Sequence, residues 1–94
     1  MCDRIFKEGQ IVKHYKWENN NATDKKNKKY LYRIIGEAIH TETEEKLIIY
    51  RALYEPYTIW GRPYDMFMSE VDHVKNPDVK QKFRFECYDL EASN

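Results

Sequence analysis

Glycine and proline are scarce in this sequence, which has three of each among 94 residues. Three glycines are too few for a loop that cradles nucleotide phosphates, and no P-loop or nucleophile-elbow spacing occurs. No run approaches the roughly 20 apolar residues of a membrane-spanning helix, and the first residues contain no apolar stretch typical of a signal peptide. We therefore expect a soluble, cytoplasmic protein with no membrane partner.

Cysteine, serine and net charge are also low. Cys2 and Cys87 have no CxxC spacing, so they predict neither a disulfide framework nor a zinc site. The only serines, Ser69 and Ser93, do not indicate a serine nucleophile. We expect no cofactor and no enzymatic activity; the enzymatic alternative would use His40 as a base. Sixteen basic residues balance sixteen acidic ones, so overall charge alone gives no argument for nucleic acid or an anionic membrane as a partner.

The sequence is rich in aromatic and β-branched residues that alternate with polar ones. It contains eight tyrosines, and aromatic residues make up 15% of the chain, a composition typical of strands. Period-two alternation predicts strands at residues 10–17, 30–40, 46–54, 57–62 and 82–88. A helix is the alternative over residues 44–54, because Leu47, Tyr50 and Tyr54 also fall at helical spacing.

Three local features complete the predicted fold. Gly36 lies in mid-strand and predicts a β-bulge or bend, and residues 41–45 predict a turn that pairs the strands on either side. Pro63 predicts a single helical turn whose Met66 and Phe67 close one end of the core. We therefore predict an all-β fold, a small antiparallel SH3-like barrel with one short helical turn. It forms a single domain over residues 1–94, with a core at about 9–88.

Residues 18–29 contain no large apolar side chain and are rich in asparagine and lysine. We predict a flexible, solvent-exposed loop that lengthens a hairpin. The alternative is a basic finger that contacts phosphate through Lys25, Lys26, Lys28 and Lys29.

Several polar or aromatic residues in the predicted strands are of types that bind ligands. Arg51 and Arg62 occupy otherwise apolar strands, where a guanidinium needs a partner. One interpretation pairs them with internal acids: Glu37, Glu42 or Asp65. The other has both guanidinium groups converge on one bound anion. Tyr50 and Trp60 would then offer flat faces to a ring, although packing in the core is an equal alternative for Trp60.

The histidines have two interpretations as well. His40 shares a predicted strand face with Tyr32 and Ile34, which would place it at a pocket. Alternatively, His40 and its neighbours cap their own turn through side-chain to backbone hydrogen bonds. His14 and Lys16 project from one face of the first strand; we prefer a surface position for them, with the pocket rim as the alternative.

These residues predict a non-enzymatic binding module whose pocket holds a small anionic or nucleotide-like ligand. The predicted ligand-binding residues are His40, Thr43, Tyr50, Arg51, Trp60 and Arg62. The alternative function is an SH3-like adaptor that binds nucleic acid or a peptide. The sequence leaves both a monomer and a homodimer open.

Three ordered segments resemble a known family: HTETEEKLIIYRALY at 40–54, IWGRPYDMF at 59–67 and PDVKQKFRFE at 77–86. Together they resemble the small bacterial domain-of-unknown-function family numbered 1653, over about residues 9–88. The resemblance implies a fold, site residues and a bacterial or phage origin, but no activity. The chain departs from the family pattern in its long lysine- and asparagine-rich loop and at Gly61, where members often carry Val.

Overall fold

The computed structural model describes residues 6–88, and its core is one antiparallel sheet. The strands are β1 (Ile11–His14), β2 (Leu31–Ile39), β3 (Lys46–Ala52), β4 (Ile59–Pro63) and β5 (Phe85–Cys87). They lie in the order β4-β3-β2-β1-β5. The mostly-β, antiparallel prediction is confirmed, and the helical alternative for residues 44–54 is wrong because β3 occupies most of that segment. No ladder joins β4 to β5 within residues 6–88, so the sheet is not closed and the predicted barrel is not confirmed.

Two short helices and a 3-10 helix lie between the strands. The predicted first strand ends early, because the backbone N–H of Lys16 donates to His14 Nδ1 and the chain turns into a 3-10 helix at Tyr15–Asn19. Helix α1 (Ala22–Lys26) follows inside the segment for which we predicted an uninterrupted loop. Asn21 starts it, because its Oδ1 accepts the backbone N–H of Asp24 at 2.8 Å.

A β-bulge interrupts β2, as Gly36 predicts. Ile34 lies opposite Tyr50 and Gly36 lies opposite Ile49, so Ile35 is the extra residue on β2. Because successive side chains alternate between the faces of a sheet, one extra residue exchanges the two faces for the rest of the strand.

The bulge changes where His40 lies. Beyond it, Glu37 pairs with Ile48, and directly paired residues share a face. Odd-numbered residues of β2 therefore take over the face that Tyr32 and Ile34 occupy before the bulge. The prediction that His40 shares that face is wrong.

Aromatic rings fill the core on one face of the sheet. Phe67 and Phe85 are stacked with ring centroids 4.1 Å apart, and Tyr50 contacts both rings edge-on or tilted. Helix α2 (Tyr64–Phe67) supplies Phe67, which is fully buried as predicted. Met66, predicted to lie beside it in the core, is 50% exposed, because the helical turn directs neighbouring side chains to different sides.

The long connection from α2 to β5 is held by two polar side chains. The carboxylate of Glu18 accepts the backbone N–H groups of Lys80 and Gln81 at 2.9–3.1 Å. The buried Gln81 amide donates in turn to backbone carbonyls of Lys13 and Phe83. The predicted closing strand at 82–88 is shorter than expected, since only Phe85–Cys87 joins the sheet.

No helix within residues 6–88 has the length and apolar character that crossing a bilayer requires.

Candidate functional site

A cleft of about 210 Å³ is lined by side chains from all five strands of the sheet. It is lined by His14, Lys16, Tyr30, Tyr32, Tyr50, Trp60, Arg62 and Phe85. Three of the residues predicted from the sequence therefore meet here, and three do not.

Pairing of β3 with β4 places the three predicted residues. Tyr50 lies directly opposite Trp60, and Ile48 lies opposite Arg62, so these side chains project to one face. Arg62 Nε donates to the hydroxyl oxygen of Tyr50 at 3.2 Å. Its guanidinium carbon lies 5.6 Å from the ring centroid of Phe85, a cation–π distance.

The cleft is positively charged. Arg62 and Lys16 are its cations, and none of its lining residues is acidic. The salt bridges among residues 6–88 are Lys46–Glu37 and Lys82–Glu70, neither of which involves the cleft. The internal partners that the sequence suggested for Arg62 therefore do not neutralise it.

His14 is a buried, neutral member of the cleft. Its ring packs edge-on against Phe85 with centroids 5.1 Å apart. Burial, followed by the positive charges of Lys16 and Arg62, lowers the pKa of His14 to about 3. Because Nδ1 accepts the N–H of Lys16 at 3.2 Å, the neutral ring carries its proton on Nε2. The preferred surface position for His14 is wrong.

Tyr32, one of the tyrosines that line the cleft, shares a hydrogen bond with a neighbouring tyrosine. The Tyr32 hydroxyl lies 2.7 Å from that of Tyr54. Burial, with this hydrogen bond, raises the pKa of Tyr32 well above its ordinary value. Tyr32 therefore stays protonated and leaves the charge of the cleft positive.

Arg51 lies on the other face of the sheet. It pairs with Ile59 on β4 and with Arg33 on β2, one position away from Tyr50. Its Nε donates to the backbone carbonyl of Tyr57 at 3.2 Å. The predicted convergence of Arg51 and Arg62 is wrong, because the period of two sends them to opposite faces.

His40 and Thr43 lie in the turn between β2 and β3. The Nδ1 atom of His40 accepts backbone N–H groups of Glu42 at 3.1 Å and Thr43 at 3.3 Å. Thr43 Oγ1 accepts the N–H of Glu45 at 3.3 Å. These contacts match the turn-capping interpretation, and neither residue lines the cleft.

The other cleft residues depend on non-local pairing, and His14 and Lys16 occupy the pocket position that was the alternative to a surface position. β1 pairs with β5 so that His14 lies opposite Phe85. Tyr30, just before β2, has a φ of 71°, a left-handed conformation that costs an ordinary residue about 1–2 kcal/mol. The alternating pattern of residues 11–14 indicates a strand that contains His14, but only the pairing of β1 with β5 places His14 beside Phe85.

Within residues 6–88, no group of three His, Cys, Asp or Glu side chains could hold a metal ion. Cys87 is disulfide-bonded, whereas the cysteine spacing predicts no disulfide framework; Cys2 lies outside the described residues.

A family model described as a protein of unknown function, DUF1653, matches residues 10–87. The chain belongs to the DUF1653 family. Membership confirms the resemblance carried by the segments at 40–54, 59–67 and 77–86. The match also covers every residue that lines the cleft. No curated protein and no solved structure matches the chain.

Proposed function

We propose that this DUF1653 chain is a non-enzymatic binding module whose cleft takes a small anionic ligand with a flat ring, such as a nucleotide. The observation that carries the proposal is Arg62, a guanidinium without an acidic partner among residues 6–88, held beside a half-exposed indole. An unpaired cation between aromatic rings is costly unless a ligand or solvent satisfies it.

Arg62 and its neighbours suit an anion with several oxygens. The Nε of Arg62 is used by Tyr50, so its two terminal amino groups remain for a bidentate contact. Lys16 adds a second positive charge to the cleft. The Nε2–H of His14 adds a neutral donor. Two cations and no acid match the two negative charges of a phosphate monoester.

Trp60 suits the flat part of the ligand. Its side chain is 50% exposed at the mouth of the cleft, and stacking of a base on such a ring contributes about 1–3 kcal/mol. The cleft, at about 210 Å³, is smaller than pockets that enclose a drug-sized molecule. We therefore place the anionic group inside the cleft and the ring outside it, on Trp60.

Catalysis is not part of this proposal, because His40, the base of the enzymatic alternative, does not line the cleft and His14, which does, is a poor base. A general base works best with a pKa close to the operating pH. The pKa of His14 is lowered to about 3, and its Nδ1 already accepts a backbone N–H.

We also infer that the sheet curls in an SH3-like manner. The support is contact between its outermost strands: Arg62 of β4 lies over the ring of Phe85 of β5, at 5.6 Å. A short helix, α2, occupies the connection between these two strands. Nuclear Overhauser effects between the Arg62 side chain and the Phe85 ring are expected; their absence in a well-resolved spectrum would contradict the curled arrangement.

The binding proposal is tested by calorimetry with inorganic phosphate and adenosine monophosphate. Arg62→Gln should weaken both ligands at least tenfold. Arg51→Gln is the matched control, because it removes the same charge from the opposite face and should leave both affinities unchanged. Trp60→Ala should weaken the nucleotide but not phosphate. Absence of binding, or equal effects of the two arginine variants, would overturn the proposal.

A further inference from the structure

Beside the cleft, two lysine side chains lie over aromatic rings in the segment that contains the 3-10 helix and α1. We call the side chains of Trp17, Lys25, Lys29 and Tyr30 the lysine face. The Nζ of Lys25 lies 5.9 Å from the ring centroid of Trp17, and that of Lys29 lies 5.4 Å from Tyr30. Both are cation–π distances.

The lysines of this segment outnumber its acids, although Asp24 and the neighbouring Glu55 line a second pocket together with Lys29. Residues 15–30 contain five lysines but only two acids, Glu18 and Asp24. Glu18 is engaged by the backbone N–H groups of Lys80 and Gln81. Neither salt bridge among residues 6–88 involves a lysine of this segment. A chain of zero net charge therefore concentrates cations at one place.

The lysine face is continuous with the cleft through one ring. Tyr30 lines the cleft, and its ring has Lys29 at 5.4 Å and Lys16, a cleft residue, at 5.9 Å. A ligand whose anionic group lies between Lys16 and Arg62 would therefore reach the lysine face directly if it continued beyond the cleft.

We propose that the ligand is the phosphate-bearing terminal nucleotide of a single-stranded nucleic acid, whose following nucleotides run over the lysine face. This inference rests on the proposed function of the cleft. Single strands are bound by grooves that combine cations for the backbone with rings on which bases stack. Trp60 and Tyr30 line the cleft, and the rings of Tyr30 and Trp17 have Lys29 and Lys25 at cation–π distances.

An acidic peptide is the competing occupant, and the rings argue against it. A peptide of Asp and Glu would use the lysines but would have no flat groups to place on Trp60 or Trp17. A nucleic-acid strand uses both kinds of side chain. Its recognition requires no acidic residue in the cleft, in agreement with the lining residues.

The experiment compares thymidine monophosphate with a 5′-phosphorylated pentathymidylate by calorimetry and by fluorescence anisotropy, over a series of salt concentrations. We expect the pentanucleotide to bind about 100-fold more tightly than the mononucleotide at low salt, because further phosphates and bases make contacts. The double variant Lys25→Gln/Lys29→Gln should lower the magnitude of the salt slope for the pentanucleotide by about 1.4, that is, about 0.7 for each lost contact.

The matched control is Lys7→Gln/Lys75→Gln, which removes the same charge from exposed positions outside the segment. It should leave the salt slope unchanged, and neither double variant should alter mononucleotide affinity. A pentanucleotide that binds no more tightly than the mononucleotide overturns this inference but not the proposed function. Absence of binding by both overturns both. A pentaglutamate peptide that binds as tightly as the pentanucleotide also overturns this inference and indicates an acidic peptide as the partner.

Discussion

Folding stability is expected to fall as the pH drops below about 6.5, because His14 must stay neutral in the folded protein. Its pKa is lowered from 6.5 to about 3, by burial first and then by Lys16, Arg62 and Arg84. In the unfolded chain the same ring takes up a proton near its ordinary pKa. The unfolded state therefore binds more protons between these two values, and stability that is fully present above about pH 6.5 is lost progressively toward pH 3.

The size of the effect follows from the two pKa values. Each pH unit between them costs about 1.4 kcal/mol of unfolding free energy. Between about pH 7.5 and pH 4.5 the expected loss is about 3 kcal/mol. This is a large part of the total of about 5–15 kcal/mol typical of a domain. Ordinary carboxylates titrate mostly below this window.

The assay is urea unfolding followed by tryptophan fluorescence at a series of pH values in this range. His14→Asn is the informative variant, because its amide oxygen can still accept the N–H of Lys16 but takes up no proton. Its stability should change by less than about 1 kcal/mol over the window. Equal pH slopes in the two proteins, or a folded-state NMR titration of His14 near pH 6.5, would refute the reasoning.

Three further substitutions test the packing. Glu18→Gln should lower the unfolding free energy by about 1 kcal/mol in urea denaturation, because the charge that accepts two backbone N–H groups is lost. An unchanged unfolding free energy would show that Glu18 does not stabilise the connection from α2 to β5. Phe67→Ala should cost about 3–5 kcal/mol by the same measurement, since its fully buried ring leaves a cavity; a cost below that of a surface substitution would contradict the assigned core. Gly61→Ala should raise the melting temperature slightly, because alanine is favoured over glycine in a strand by about 0.5 kcal/mol. The added Cβ would meet only the Cδ1 of Ile49, at 3.1 Å. A clear loss of stability would show that the Ile49 side chain cannot move aside.

The local elements of the fold could be predicted because alternation and turn residues are properties of neighbouring positions. The hairpin of β2 and β3, the bulge at Gly36 and the helical turn after Pro63 all follow from such patterns. The end of β1 could not be predicted, because it depends on the side chain of His14 accepting a backbone N–H. The start of α1 could not be predicted either, because it depends on the Asn21 side chain capping a segment whose polar composition indicates a loop.

The cleft was predictable only where one hairpin forms it. Tyr50, Trp60 and Arg62 meet because adjacent strands place them opposite or diagonal to one another. Arg51 directly follows Tyr50 in β3, so its side chain must project from the opposite face of the sheet and cannot line the cleft. The place of His14 depends on a pairing between the first and last strands, whose register no local pattern specifies.

The extra residue at Ile35 marks the one place in β2 where the strand can lose a residue without changing its faces. Deleting Ile35 would leave Gly36 opposite Ile49 and Glu37 opposite Ile48, so the ladder would continue with the same pairs and without the bulge. Loss of one residue elsewhere in β2 would instead send every later side chain of the strand to the other side of the sheet.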